Sequence, residues 1–256
     1  MPGKKITAKD YDKRTKKMPA EKWIKEYFEP EEKHKEERLK GILEAVSPKK
    51  GEKILEVGCG MGPLLFHIGK SGAKCFGADY SMESLKTGKK IFRKIGRQNA
   101  ESFFACSDAI KLPFKSGSFD KILNADFLEH IYPQEKNAVT REMERVLKPK
   151  GSIVSYTPNR TRLRIDYFIK KIAFAARGKR LGWQKSDKRT VLFDTELHVG
   201  LSNARELKEV FEKNGLKVKK TIFIGCSFPL LNRVFRNAKI MPGVFGAYIL
   251  MIAKKG

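Results

Sequence analysis

The chain predicts an α/β fold: a doubly wound, seven-stranded, mostly parallel sheet with helices on both faces, an N-terminal helical arm and an insertion after the fifth strand. Three observations carry this. From residue 53, apolar runs of strand length alternate with amphipathic stretches of helix length. The first apolar run ends in an acid, Glu56, and then in glycines at alternate positions, Gly58, Gly60 and Gly62. After residue 159 the rhythm stops for a basic stretch over 160–197 and then resumes.

Residues 1–18 are polar and basic and are expected to be loose. Residues 20–46 read as helix, with Trp23, Ile24, Tyr27 and Phe28 on one face and charges of both signs from Glu31 to Lys40. Pro30 is expected to split this arm in two. The arm is expected to be a packing element or a lid over the site, with packing of lid character favoured. Strands are expected at 53–57, 73–78, 102–106, 119–125 and 152–156, with helices at 63–71, 82–95 and 135–147 between them. Lys148-Pro149-Lys150-Gly151 is a helix stop. Ser202 caps a helix that runs to Asn214, with Leu207, Val210 and Phe211 apolar. Strands at 216–224 and 248–253 close the pattern, and a hairpin-like pair there makes the sheet mixed. The organisation is an arm over 1–46 and one domain over 47–256, with 160–197 as its insertion.

The 256 residues suffice for one large α/β domain, and 41% hydrophobic residues fit a globular chain. Cys59, Cys75, Cys106 and Cys226 are scattered, without disulfide or metal-ligand spacing, so a reducing, cytoplasmic setting and no metal are expected. The start lacks the apolar core of a signal peptide, and the apolar run 244–253 is too short to span a bilayer. The net charge of +25 attracts nucleic acid, anionic lipid or acidic substrates.

Glycines at a strand-to-helix turn leave bare backbone against which a nucleotide-bearing ligand can press. A nicotinamide site would read G-x-G-x-x-G with an acid about 20 residues on. Here the spacing differs. Asp79 ends the second strand, beside Tyr80 and Ser81, where its carboxylate can accept from both ribose hydroxyls. Asp108, before Ala109, follows the third strand and can accept from an adenine amine.

These residues, with Leu112-Pro113-Phe114, Ser118-Phe119-Asp120, Phe127-Leu128-Glu129-His130-Ile131 and Arg145-Val146-Leu147-Lys148-Pro149-x-Gly151, resemble the class I S-adenosylmethionine-dependent methyltransferases. Within that class the group related to ubiquinone and menaquinone biosynthesis methyltransferases is the most similar. The resemblance is strong over 50–157 and weaker over 196–253. It implies a Rossmann-like sheet and S-adenosyl-L-methionine as cofactor. It also implies that Glu56, Gly58, Gly60 and Gly62 form the methionine and ribose cradle, with Asp79, Tyr80 and Ser81 at the ribose. Asp108 and Ala109 would bind adenine, and Asn124 and Ala125 would line the methionine moiety by backbone and side chain.

The sulfonium of such a cofactor already activates its methyl group, so the protein must hold a nucleophile in line, exclude water and, for a hydroxyl, remove a proton. His130, just past the fourth strand, and His198, just past the insertion, are the candidates for that base or for orienting the acceptor. His34 and His67 sit on helical stretches and read as structural or exposed. No Asn-Pro-Pro-Tyr motif follows the fourth strand, where Asn124-Ala125-Asp126-Phe127 stands, which argues against methylation of an exocyclic base amine. No Pro-Cys pair follows the fourth or fifth strand, which argues against the covalent route to a pyrimidine carbon.

Between 160 and 189, eleven Lys/Arg stand against two Asp, a local charge of +9. Leu163, Ile165, Phe168, Ile169, Ile172 and Ala176 share one helical face there. A basic amphipathic helix of this kind caps a pocket, lies on an anionic membrane, or both. The expected acceptor is a small apolar or amphiphilic molecule, quinone-like or lipid-like. An RNA methyltransferase with a basic groove and a non-catalytic cofactor-binding protein are the alternatives.

Overall fold

The computed structural model describes residues 7–16, 19–95, 102–178, 198–224 and 246–256. Parts of the basic N-terminus, residues 179–197 of the insertion and Cys226 lie outside the described residues. The arm consists of α1 (Ala8–Lys16), α2 (Ala20–Trp23), a π-helical turn (Ile24–Phe28) and α3 (Lys33–Val46). It breaks at Glu29 and Pro30, as the proline requires. The stretch expected to be loose instead forms α1, because it has anchors. Asp12 accepts from Ser81 Oγ at 2.6 Å and Thr15 Oγ1 meets Ser84 Oγ at 2.7 Å.

The alternating part contains β1 (Lys53–Val57), α4 (Pro63–Ile68), β2 (Lys74–Asp79), α5 (Met82–Lys94), β3 (Ser102–Cys106), β4 (Phe119–Ala125), α6 (Lys136–Val146) and β5 (Leu147–Pro158). After it come α7 (Arg160–Ala175), α8 (Ala204–Lys213), β6 (Leu216–Ile224) and β7 (Tyr248–Lys255). The expected stop at 148–151 lies inside β5. Leu147 already pairs with Phe119, and the register shifts before Lys121 pairs with Ser152. The extra residues form an irregularity of the bulge kind, with Lys150 in the left-handed region at φ 63°.

The seven strands lie in the order β3-β2-β1-β4-β5-β7-β6. The first five run parallel, and β7 is antiparallel to both β5 and β6. The connections move outward from β1 to β3 and then return to β4. The strand order therefore reverses between β1 and β4, and a crevice opens there at the carboxyl ends. Neighbouring residues of each central strand serve opposite faces. Ile54, Leu123 and Val154 join one core layer with Phe28, Ile42, Leu65 and Phe92, whereas Leu55, Ile122 and Ile153 join the other with Met143, Leu207 and Phe211. A strand buried on both sides reads as a continuous apolar run, which is why β1, β4 and β5 were visible as such.

Two close approaches position the crevice. A Cβ on Gly88 of α5 would lie 2.4 Å from Met61 O, so α5 rests directly on the glycine turn. Phe28, Phe66, Phe92 and Phe104 meet edge to face, and His67 Nε2 donates to Phe28 O at 2.8 Å, which ties the arm to α4. His67 is thus structural, and His34 is a surface residue beside Glu32. Among the described residues no helix is long and apolar enough to cross a membrane.

Candidate functional site

Gly58, Gly60 and Gly62 all adopt the left-handed conformation, which a side chain would strain. A Cβ on Gly58 would meet the Phe127 ring at 2.3 Å, so the turn is packed from one side. A Cβ on Gly60 would meet nothing within 4 Å, so bare backbone faces open space on the other. The Asp79 carboxylate stitches this turn to the end of β2: Gly60 N–H donates to one oxygen at 2.7 Å and Ser81 N–H to the other at 2.8 Å. Burial pushes the Asp79 carboxyl upward, and these backbone donors oppose the shift.

Glu56 is buried at the end of β1. Burial drives its carboxyl well above the usual range, with the Arg38 charge opposing and the Asp79 and Asp126 charges adding. The Leu65 amide donates to it, so Glu56 caps α4 from the neighbouring strand. Its Oε2 has no hydrogen-bond partner among the described residues. An acceptor left bare in a buried site is costly, and a cationic donor would satisfy it.

The remaining predicted cofactor residues surround this cradle with different freedoms. Tyr80 is exposed. Ser81 is buried and committed: its Oγ donates to Asp12 and accepts from Ser84 N–H as the cap of α5. Asp108 is exposed and accepts from Ile110 N–H at 3.1 Å, with Ala109 half-buried between them. Asn124 is fully buried, and its side chain accepts from Ser155 Oγ at 2.7 Å and reaches Met143 Sδ. Its side chain is thus committed within the sheet, next to the buried Ala125.

Across the crevice, residues from distant parts of the chain converge past the end of β4. Glu129 and His130 lie in a 3₁₀ turn (Leu128–His130), and His198 precedes α8. The two segments are stapled. Gly200 N–H donates to Glu129 O at 2.8 Å, and Lys136 Nζ donates to Gly200 O and, at 2.6 Å, to Ser202 Oγ. The His130 and His198 rings stand 4.9 Å apart, and the Tyr11 ring of α1 meets His130 edge-on at 6.1 Å. Thr157 Oγ1 donates to the buried Glu129 carboxylate at 3.0 Å. Burial, helped by the Asp126 charge, raises Glu129 to about 8, and burial lowers Lys136 to about 8.

The crevice also contains residues that the sequence did not single out. Asp126 takes the left-handed conformation at φ 50° and is ion-paired with Arg38 of α3. The Arg38 guanidinium lies 4.9 Å over the Tyr156 ring, which stacks on Tyr248 at 4.9 Å. Burial raises the Tyr248 hydroxyl to about 12 and pushes Tyr156 up as well. Glu129 and Asp126 stood inside the motif region and were legible there as acids beside His130. Arg38, Tyr11 and Tyr248 carry no local signal, because only folding brings α1, α3 and β7 to one place.

Residues 55–155 match the family described as a methyltransferase domain. Norajmaline N-methyltransferase of Rauvolfia serpentina is 37% identical over 107 residues, covering 41% of this chain and 36% of that one. Demethylmenaquinone methyltransferase of Clavibacter sepedonicus is 36% identical over 110 residues, covering 43% and 42%. The chain spans 36% to 40% of the length of the first curated relatives it matches. Among solved structures, phosphoethanolamine N-methyltransferase 2 of Haemonchus contortus, in complex with S-adenosyl-L-methionine, superposes with a TM-score of 0.66 at 17% identity, covering 100% of this chain and 61% of that one. The methyltransferase from a complex with the Haloferax volcanii Trm112 methyltransferase activator gives 0.65 at 14% identity, covering 96% and 97%. The fold is thus that of these solved methyltransferases, and residues 55–155 match the methyltransferase-domain family.

The staple between the two histidine segments is open to a direct test. A Cβ on Gly200 would lie 1.8 Å from Ile131 O. Gly200→Ala is expected to cost about 1–3 kcal/mol in chemical denaturation and to speed hydrogen exchange of the amide at position 200. Unchanged stability and exchange would mean that the segments are not held this way.

Proposed function

We propose that this chain is an S-adenosyl-L-methionine-dependent methyltransferase acting on a small, apolar or amphiphilic acceptor of the quinone or lipid kind. The observation that carries the reading is the pairing of two half-sites across one crevice. A glycine cradle with an orphaned buried carboxylate oxygen lies on one side, and a histidine, carboxylate and tyrosine cluster on the other. The cradle fits the cofactor. Glu56 Oε2 suits the cofactor's ammonium group, and open space at Gly60 leaves room for close backbone contact. Each Asp79 oxygen holds one backbone amide and retains a lone pair for a ribose hydroxyl. Tyr80 offers an exposed ring and Asp108 an exposed carboxylate to the adenine end.

When bound, the sulfonium supplies an activated methyl group, so the chain's own work is placement and exclusion of water. His130 and His198 position the acceptor's nucleophilic atom, and Tyr11 and α1 cover the crevice from above. Asp12 fastens that cover through Ser81 and the Glu83 amide, at the edge of the cradle. A small acceptor is supported by the names of the relatives, which include a norajmaline N-methyltransferase and a demethylmenaquinone methyltransferase.

Helix α7 supports an amphiphilic setting over a nucleic-acid groove. Its first turns are buried, where Arg162 pairs with Asp166 at 2.7 Å and Leu163 packs inward. Further along, Phe168 is 65% exposed and Ile172 62% exposed, beside exposed Arg164 and Lys171. Apolar side chains flanked by basic ones suit an anionic membrane surface in a cytoplasmic setting.

Three outcomes are expected. Asp79→Asn should weaken cofactor binding about 10- to 100-fold by calorimetry, through loss of charge-assisted hydrogen bonds, with the circular dichroism spectrum kept. Full affinity would reject the cradle. His130→Ala should lower turnover on an accepted substrate at least about 10-fold while leaving cofactor affinity within about twofold. Equal turnover would remove it from the acceptor side. Vesicles containing anionic lipid should sediment with the protein, and Phe168→Ser with Ile172→Ser should reduce this. Binding of RNA with a steep salt dependence and none to vesicles would favour the nucleic-acid reading instead.

A further inference from the structure

The acceptor side of the crevice contains more than two histidines. Glu129, His130 and His198 each offer a ligand atom, and these atoms all lie within 4.8 Å of one another. Ligand bonds of about 2.1 Å around a common ion require donor separations of roughly 3–4 Å, a gap that side-chain rotation closes. The backbone that carries them is fixed without an ion. The staple of Gly200 N–H on Glu129 O and the Lys136 bonds to Gly200 O and Ser202 Oγ bring the two segments together.

A second observation concerns the charge of Glu129. Its side chain is buried, with 1% of the residue exposed, yet it forms no close ion pair with a lysine or arginine among the described residues. The nearby cations hydrogen-bond or pair elsewhere, although the Lys136 charge still acts on Glu129. Lys136 gives its hydrogen bonds to Gly200 O and Ser202 Oγ, and Arg38 is paired with Asp126. Thr157 Oγ1 donates to one Glu129 oxygen, the outer hydrogen bond that commonly orients a ligating carboxylate. A buried carboxylate beside two imidazoles, in no close ion pair among the described residues and with the Lys136 charge acting on it from a distance, is a donor set that a metal ion completes.

We propose that Glu129, His130 and His198 bind one divalent transition-metal ion at the acceptor end of the crevice. Two imidazole nitrogens and one carboxylate oxygen suit Zn²⁺, Mn²⁺, Fe²⁺ or Co²⁺ rather than Ca²⁺ or Mg²⁺, which favour all-oxygen sites. Three protein ligands leave coordination positions open, as in sites that take a substrate oxygen. The class of ligand it would take is therefore an oxygen donor, a phenol, enol or hydroxyl. This last point rests on the methyltransferase reading, and the histidines then orient the acceptor through the ion. The binding of the ion itself stands independently of that reading.

The test uses the full chain, free of affinity histidines and stripped with a chelator. Co²⁺ titration followed by visible absorption and Zn²⁺ calorimetry should both give one ion per chain. His130→Ala, His198→Ala and Glu129→Gln should each weaken binding at least about 100-fold, and Thr157→Val about 10-fold, the size expected for an outer hydrogen bond. Cofactor calorimetry on the same samples separates the two claims. Ion binding without cofactor binding would keep this site and reject the methyltransferase reading, and the reverse would reject only the site. Cofactor binding also reports that a variant is folded, and if a ligand variant fails this check, Thr157→Val decides. The proposal is overturned if the unmodified chain binds no ion, or if the folded variants bind it as tightly as the parent.

Discussion

Everything at the crevice depends on the carboxylate of Asp79. The turn after β1 is tied to β2 by the Gly58 and Cys59 amides on Ala78 O, but its three left-handed glycines give it little stiffness of its own. One carboxylate, bonded to Gly60 N–H and to Ser81 N–H, fixes this turn and the turn after β2 at once. Through Ser81 the link extends to Asp12, so α1 is held to the same point. The position of the covering helix is thus set by the residue that would also touch a ribose.

The acceptor side is built on a different balance. Glu129 and Lys136 are both buried and both shifted toward neutrality by desolvation, the acid upward and the amine downward. The backbone absorbs this cost through the staple at Gly200, where a side chain of any size would strike Ile131 O. Polar groups drawn out of water are found where they are satisfied or where something else is to arrive. Asp126, held in the left-handed region by Arg38, belongs to the same concentration of strain and charge past the end of β4.

How much of this was legible in the sequence follows from the range of each interaction. The central strands announced themselves, because burial on both faces makes their residues uniformly apolar, and the glycine turn and Asp79 follow from their places at strand ends. That the first five strands run parallel and that the C-terminal pair makes the sheet mixed was readable from the same rhythm; the order of the strands was not. The boundary at β5 was not, since a Lys-Pro-Lys-Gly stop looks the same whether a helix ends in a loop or in a bulged strand. Helix α1 looked loose because its stability comes from Asp12 and Thr15 reaching α5, not from its own composition. Arg162 counted only toward the local charge, and its full burial beside Asp166 takes the folded helix to explain. Asn124 read as lining the methionine moiety by backbone and side chain; its side chain accepts from the buried Ser155 hydroxyl, a partner that the sequence does not announce.

The placement of β7 has a consequence for how the sheet assembles. It lies between β5 and β6, so β6 joins the sheet only by way of a strand that follows it in the chain. Ser152 pairs with Lys254 and Leu216 with Lys255, so the nearer strand in sequence waits on the farther one. Closing a loop of that length costs entropy that only the finished three-strand block repays. Tyr248, which stacks on Tyr156 beneath Arg38, arrives with that last strand. The floor of the acceptor side is therefore complete only when β7 has paired with β5.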